Sequence, residues 1–392
     1  MRGPWNRRQF LHQLAGLGTA VMGLGLARRF VLADEPAKVP DHTLTVIAGK
    51  PRERGKAYGQ KFNEGIRAFL DKEIYQACSK QASRDELLRY AAQCTKAVKE
   101  YSPIIVEELE GMAEGTGLEL EELVLITLHE ETAGHKAGKL PPIQHCTAIA
   151  AGPPDTKDGY TYVGQNWDWM ATVYGLSSML LWKRPEGPSL LAYSYPGLWV
   201  GAGLNSAGVA LCWTWGNDLG IKGPRVGIPS YALIAQMLYQ DSLQGALDEA
   251  RRARHAGWFA FVLADGKGRL ATVEGTPEKL VIQEPRGHTA RASFACREIL
   301  GGAKNEPLKI HPQCQRMFDL LAGGKGQLDR PALQAFFGDH KSTICKHPST
   351  KKKGAEPAGF TVDSMLFNCT TREAYVSRGP GCSGRWQTFR FA

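Results

Sequence analysis

A cysteine and an aspartate stand near the two ends of the stretch "HCTAIAAGPPDTKDGYTYVGQNWDW", at positions 146 and 168. A thiol and a carboxylate set across a turn are a pair that can do nucleophilic chemistry. Both lie the same distance in sequence from Lys157, in the polar loop "GPPDTKDG". If the flanking runs pair as an antiparallel hairpin about that loop, the two side chains come near each other within a few residues of register. A cysteine at the first position of a strand is well placed for catalysis if the chain is cut immediately before it. The freed α-amino group has a pKa of about 7.7–8.0 and can take the proton of its own thiol, directly or through one water. No histidine base is then required. The alternative is a core cysteine, the commoner fate of a buried thiol.

Other residues qualify by type and place. Asn205, in "GLNSAG", falls at a strand end where its amide can help stabilise an oxyanion, or simply hold a turn. Gln165, Trp169 and Arg372 are further candidates for a substrate pocket. Trp167 and Trp169, two apart, share one face of a strand and suit a core equally well. Several familiar motifs fail. "HEETAGH" lacks the second histidine four residues after the first, where Ala133 stands. "GAGLNSAG" misplaces its third glycine and precedes a strand instead of a helix. There is no GxSxG elbow and no Walker lysine. No metal-ligand spacing and no cofactor fingerprint emerge, so neither a metal nor a cofactor is expected.

These residues must be positioned by a chain of 392 residues, enough for a large core. The first 33 residues lie outside that core. "NRRQFL" sets paired arginines before the apolar "LAGLGTAVMGLGLA", and Val31–Ala33 supplies small residues for a cut after Ala33. This is the pattern of a twin-arginine export signal, which implies the export machinery as a partner and a periplasmic or extracellular destination. Removing the five arginines of that segment from the formal charge of +9 leaves +4, too mild to argue for nucleic acid. Nine cysteines leave at least one thiol unpaired, and none forms a CxxC. From about 50 to 130 the apolar spacing is helical, with Ser83 and Glu86 forming a capping box. "KAGKLPP" breaks the pattern, and short strands follow from Cys146, with helical stretches at "PSYALIAQMLYQDSLQGALDEARRA", near "HPQCQRMFDLLAG" and at "RPALQAFFGDH". Strand runs interleaved with helix pairs predict an α+β layered fold.

The stretches "CTAIAAG…GQNWDW", "GLNSAGVAL", "GIPSYALIAQ" and "LFNCTTREA" together resemble the isopenicillin-N acyltransferase family of N-terminal-nucleophile (Ntn) hydrolases, from roughly Arg54 to the C-terminus. The resemblance implies a four-layer αββα sandwich preceded by a helical prosegment. Signal 1–33, prosegment 34–145 and catalytic region 146–392 are the expected divisions. The precursor would cut itself between His145 and Cys146, and the two chains would stay associated. Cys146 would be the nucleophile, forming a thioester with the acyl group of an N-acyl amide, and Asp168 would hold its new amino group. Two positions depart from the family: His145 stands where glycine is usual, and Ala290, in "HTARAS", where an oxyanion asparagine is expected. With those departures, a binding protein that keeps the fold without the reaction is the other reading.

Overall fold

The computed structural model describes residues 39–135, 146–216, 225–293, 295–300, 302, 311–348 and 359–391. The expected export signal and His145 lie outside them. Residues 41–392 form one compact unit, so the expected boundary at 145/146 divides a chain and not a domain.

Strand β1 (Leu44–Ala48) precedes a run of helices: α1 (Pro51–Phe69), α2 (Arg84–Tyr101), α3 (Pro103–Thr116), α4 (Leu120–Thr127) and α5 (His129–His135). The helical reading of residues 50–130 holds, and the Ser83–Glu86 capping box is present in both directions. The prosegment is not purely helical, however. Its β1 adds in parallel to β4 (Ser178–Lys183), a pairing between segments 130 residues apart that local periodicity cannot reveal.

Two sheets follow. The larger continues from β4 through β5 (Leu190–Tyr195), β6 (Leu198–Asn205), β7 (Ala210–Trp215), β8 (Phe259–Ala264), β9 (Leu270–Gly275) and β10 (Leu280–Gln283). The smaller has the order β11 (His288–Arg291), β2 (Thr147–Ala151), β3 (Tyr162–Trp169), β12 (Phe360–Asn368), β13 (Glu373–Arg378), β14 (Trp386–Arg390). The sheets face each other through β2 and β3 against β7 and β8. Helices α3 and α6 (Ser230–Leu238), with α7 (Leu243–Arg252) packed on α6, cover the larger sheet. Helices α8 (Pro312–Gly323) and α9 (Arg330–Phe337) cover the smaller one. The result is an αββα sandwich, as the resemblance implies. Because both sheets are covered, strands such as β5, β6 and β8 are buried on both faces and are apolar almost throughout.

The N-terminal segment is locked first to itself, helix on helix. Gly55 and Gly59 on α1 meet Gly111 and Gly115 on α3 so closely that the backbones touch. A Cβ on Gly111 would lie 2.1 Å from the Arg52 carbonyl oxygen, and one on Gly55 1.9 Å from that of Glu108. Gly111→Ala is therefore expected to lose about 2–3 kcal/mol, because overpacking outweighs the roughly 1 kcal/mol of helix propensity that alanine adds. Gly323→Ala, where a Cβ meets nothing within 4 Å, is expected to stay neutral or gain slightly. Urea midpoints of the two variants measure the difference.

Buried polar contacts complete the lock. His42 Nε2 bonds Asp363 Oδ1 at 2.8 Å, and Asp363 Oδ2 accepts the hydroxyls of Ser177 at 2.6 Å and Tyr193 at 2.5 Å. Arg54, wholly buried, donates to Glu108 and also to Glu186, which follows β4.

Candidate active site

The site grows from the β2–β3 hairpin. Thr147 pairs with Asn166 and Ala148 with Gln165, so the hairpin is centred one half-step before Lys157. Continuing that register sets Cys146 opposite Trp167. A shift of one residue exchanges faces, and the consequence is direct. Cys146 shares the inter-sheet face with Ala148, Gln165, Trp167 and Trp169, while Asp168 belongs to the opposite face. The thiol meets the backbone carbonyl of Asp168 at 3.7 Å. The Asp168 carboxylate instead accepts Lys346 Nζ at Oδ2 and Thr361 Oγ1 at Oδ1, both at 2.6 Å. The thiol and the aspartate are thus brought together through backbone, with the carboxylate held from behind.

From the helix side, Gln313 Nε2 donates to the Cys146 carbonyl oxygen at 3.2 Å and to Thr147 Oγ1 at 2.9 Å. This pins the residue that carries the thiol. On the thiol's own face, Gln165 Oε1 accepts the Trp213 backbone N–H at 2.9 Å, which aims the buried amide nitrogen toward the sulfur. That nitrogen has no hydrogen-bond acceptor among the described residues.

An aromatic chamber lies beside it. Trp167 stacks on Trp169 with centroids 5.7 Å apart, and Trp169 stacks on Tyr195 at 6.0 Å. Trp213 packs edge-on against Trp167 and Tyr231, and His129 lies 5.1 Å from Trp169 and 5.2 Å from Phe69. The indole nitrogens of Trp167, Trp169 and Trp213 and both His129 nitrogens are buried with no hydrogen-bond partner among the described residues. Buried polar groups are normally satisfied. Several unsatisfied donors around one thiol mark a space suited to a ligand that combines apolar bulk with acceptor oxygens.

Burial, and after it the negative charge of Asp168, pushes the Cys146 thiol up to about 12 in the uncut chain. At neutral pH it is protonated and a poor nucleophile. Alkylation of Cys146 in uncut protein is therefore expected to rise about tenfold per pH unit between pH 7 and 9, because the thiolate fraction grows in that proportion well below the pKa. Site-resolved mass spectrometry of iodoacetamide adducts tests this. A rise that flattens towards pH 9 would show an ordinary thiol, whose pKa is about 8.5.

The remaining sequence candidates do not join the site. Asn205 is wholly buried, and its amide is consumed by the β6–β7 turn. Nδ2 donates to the carbonyls of Leu238 and Gln240, and Oδ1 accepts the N–H groups of Ala207 and Val209. It holds a turn and has no donor to give an oxyanion. Arg372 is an exposed turn residue with φ +60°, beyond the Asn368 end of β12, whereas the site lies at the Thr361 end. At about 3.3 Å per residue the two ends are roughly 20 Å apart. Ala290 packs with Ile149 and Cys314 in the helix-side core, the face away from the thiol. Its neighbour Arg291 is taken up by Glu274, Thr272 and Gln283, so it supplies no substitute donor. Sequence reasoning missed Lys346, Thr361, Gln313, Tyr195 and His129. Only His129 carried a signal, as the first residue of the discarded "HEETAGH" motif.

The family profile described as acyl-coenzyme A:6-aminopenicillanic acid acyl-transferase matches residues 155–298. The chain is 26% identical over 309 residues to the acyl-coenzyme A:6-aminopenicillanic-acid-acyltransferase 40 kDa form of Emericella nidulans, covering 76% of this chain and 81% of that one. Among solved structures, a variant of conjugated bile acid hydrolase from Clostridium perfringens is 13% identical with a TM-score of 0.44, covering 63% of this chain and 97% of the other. Penicillin V acylase from Agrobacterium tumefaciens is also 13% identical, with a TM-score of 0.39 and coverage of 59% and 83%.

Proposed function

The chain belongs to the acyl-coenzyme A:6-aminopenicillanic acid acyltransferase family, and from that premise we propose an exported, self-processed Ntn hydrolase that cleaves N-acyl amides through a thioester on Cys146. The observation that carries the proposal is the placement of the Cys146 thiol, facing the Gln165 amide nitrogen and beside the aromatic cluster. Processing begins when Sγ attacks the carbonyl carbon of residue 145. The C–N bond breaks, the nitrogen becomes the α-amino group of Cys146, and water hydrolyses the thioester to leave a carboxylate on residue 145 and a free thiol. The new amine, with a pKa of about 7.7–8.0, replaces the missing base. It takes the thiol proton as Sγ attacks the substrate's acyl carbon, and gives it to the departing amine. Water then releases the acid, or an acceptor amine takes the acyl group.

Asp168, anchored by Lys346 and Thr361, sits where it can steady the new ammonium across the strand. The Gln165 amide and the indole N–H groups supply donors for the acyl oxygen. Export through the twin-arginine route would take the enzyme away from acyl-coenzyme A, which favours water as the acceptor. The two chains would remain associated through the pairing of β1 with β4 and the buried contacts of Glu108 with Trp182 and Tyr239.

A second reading is favoured by Asn205 and Ala290, neither of which offers an oxyanion donor: a binding protein that holds acylated small molecules without turnover. One experiment separates them. Purified protein is incubated with N-acyl amino acids, short N-acyl peptides and N-acyl 6-aminopenicillanic acid, then quenched in acid for mass spectrometry. The enzyme gives a chain beginning at Cys146 that carries a hydroxylamine-labile acyl adduct. An uncut chain that binds these compounds unchanged is the binding protein.

A further inference from the structure

A second cluster of reactive side chains lies behind the sheet, on the side of Asp168 away from the chamber. His340, Cys345, His347 and Cys382 bring one donor atom each to within 4.8 Å of all the others. His347 Nε2 lies 3.0 Å from His340 Nε2, 3.2 Å from Cys382 Sγ and 3.8 Å from Cys345 Sγ. One imidazole nitrogen has a single proton or a single lone pair and cannot bond three partners at once. A cation at the centre satisfies all four. Zinc–nitrogen bonds of about 2.0–2.1 Å and zinc–sulfur bonds of about 2.3 Å put tetrahedral ligand atoms roughly 3.3–3.8 Å apart, and the separations here, 3.0, 3.2 and 3.8 Å from His347 Nε2 with none above 4.8 Å, need only small side-chain adjustments to reach it. Two thiolates and two imidazoles in a tetrahedron select zinc.

The backbone is built to bring the four together. Ser342 and Thr343, neither of them glycine, adopt φ of 54° and 61°, and fold His340 back over Cys345 and His347. Strain of this kind persists where the surroundings over-determine it. Asp339 holds the fold, its carboxylate accepting the Lys341 N–H at 2.6 Å and its carbonyl the Cys345 N–H at 2.9 Å. Cys382 comes from a separate turn, Gly381–Ser383, seated so closely on the end of α9 that a Cβ on Gly338 would lie 3.2 Å from the Cys382 Cα.

We propose that His340, Cys345, His347 and Cys382 form a tetrahedral zinc site that fixes Lys346 on Asp168. Lys346 stands between two of the ligands in sequence. Its N–H donates to Thr361 Oγ1 at 3.0 Å while its ammonium reaches Asp168 at 2.6 Å. Zinc displaces one proton from each thiol, and the resulting site is electrically neutral. Lys346 is then a positioning residue, its ammonium set by a metal clamp on either side.

The test uses the full chain, reduced with a phosphine, loaded with zinc chloride and passed over a chelating resin, with zinc measured by inductively coupled plasma mass spectrometry. One zinc per chain is expected to remain. His340→Ala and Cys382→Ser, both at exposed positions outside the catalytic machinery, are expected to weaken retention at least about tenfold. Cobalt in place of zinc should give the intense visible bands of a tetrahedral thiolate complex in the parent chain and lose them in Cys382→Ser, while circular dichroism reports whether the fold survives. Failure of the reduced parent chain to retain zinc overturns the proposal. So does retention unchanged in both variants, or an intact mass showing Cys345 and Cys382 joined as a disulfide in protein purified without reductant. The measurement is repeated on Cys146→Ala, so its outcome is independent of processing and turnover.

Discussion

Cys146→Ala is expected to leave the polypeptide whole and to lower turnover of N-acyl amides by at least about 10⁴-fold. The size follows from what the thiol does. In the proposed mechanism it is the atom that breaks the bond before itself and the atom that carries the acyl group, so its loss would remove both covalent routes at once. Removing a nucleophile that acts together with its base commonly costs enzymes a factor of this order or more, and what remains comes from the pocket's electrostatics and binding. Here that remainder is the Gln165 amide and the indole N–H groups. They can still polarise an acyl oxygen, so the variant should bind substrate with little change in affinity. Intact mass spectrometry and initial rates on the same preparations measure both effects. Fragments meeting at 145/146 in the alanine variant would mean that another protease makes the cut. Cys146→Ser should fall between, since oxygen keeps the geometry but yields a nucleophile far harder to ionise.

The second large effect is one of stability. Glu108→Ala is expected to destabilise the protein by about 3–5 kcal/mol, the range for breaking a buried ion pair by removing one partner. Glu108 is wholly buried, and its carboxylate is saturated. Oε1 accepts Arg54 Nη2 at 2.6 Å, Arg54 Nε at 3.2 Å and Trp182 Nε1 at 3.1 Å, and Oε2 accepts the Tyr239 hydroxyl at 2.6 Å. Alanine leaves a buried guanidinium whose one remaining carboxylate is Glu186, together with a buried indole and a buried hydroxyl each short of an acceptor. Glu108→Gln keeps the shape and part of the bonding, and should lose less. Guanidinium chloride unfolding of uncut protein resolves the two, and equal midpoints for Glu108→Ala and the parent would refute the account. Trp182 and Tyr239 belong to the catalytic half while Arg54 and Glu108 belong to the prosegment, so the same substitution should also loosen the two chains after processing.

The local features were legible in the sequence and the long-range ones were not. Ser83 and Glu86 interact three residues apart, and the structure shows both halves of their capping box. The Asp265–Gly266 dipeptide between β8 and β9 is a turn signal of the same local kind, with Asp265 accepting the N–H groups of Lys267 and Arg269. The β2–β3 hairpin was visible too, but its register was displaced by one residue. Turn composition places a loop, whereas the alternation of β2 and β3 is masked because both faces are buried. That single residue decides which face Asp168 occupies. Asn205 was an ambiguous signal because strand-end asparagines serve turns and sites alike. Lys346 reaches Asp168 across 178 residues, and Cys382 joins His347 across 35. No spacing rule connects such pairs, and "HKSTICKH" matches no familiar ligand pattern.

The parallel pairing of β1 with β4 has a consequence for how this protein is made. A strand from before residue 145 completes a sheet formed by residues after it, so the proposed processing would leave one sheet built from two molecules. While the polypeptide is continuous, that strand docks at an effective concentration set by the tether. Once residues 145 and 146 are separated, unfolding yields two molecules, and recovery becomes a bimolecular encounter. Dilution then acts as a denaturant: the midpoint of unfolding falls with protein concentration for the processed form and is independent of it for the precursor. Maturation of this kind exchanges a reversible fold for one that is assembled once.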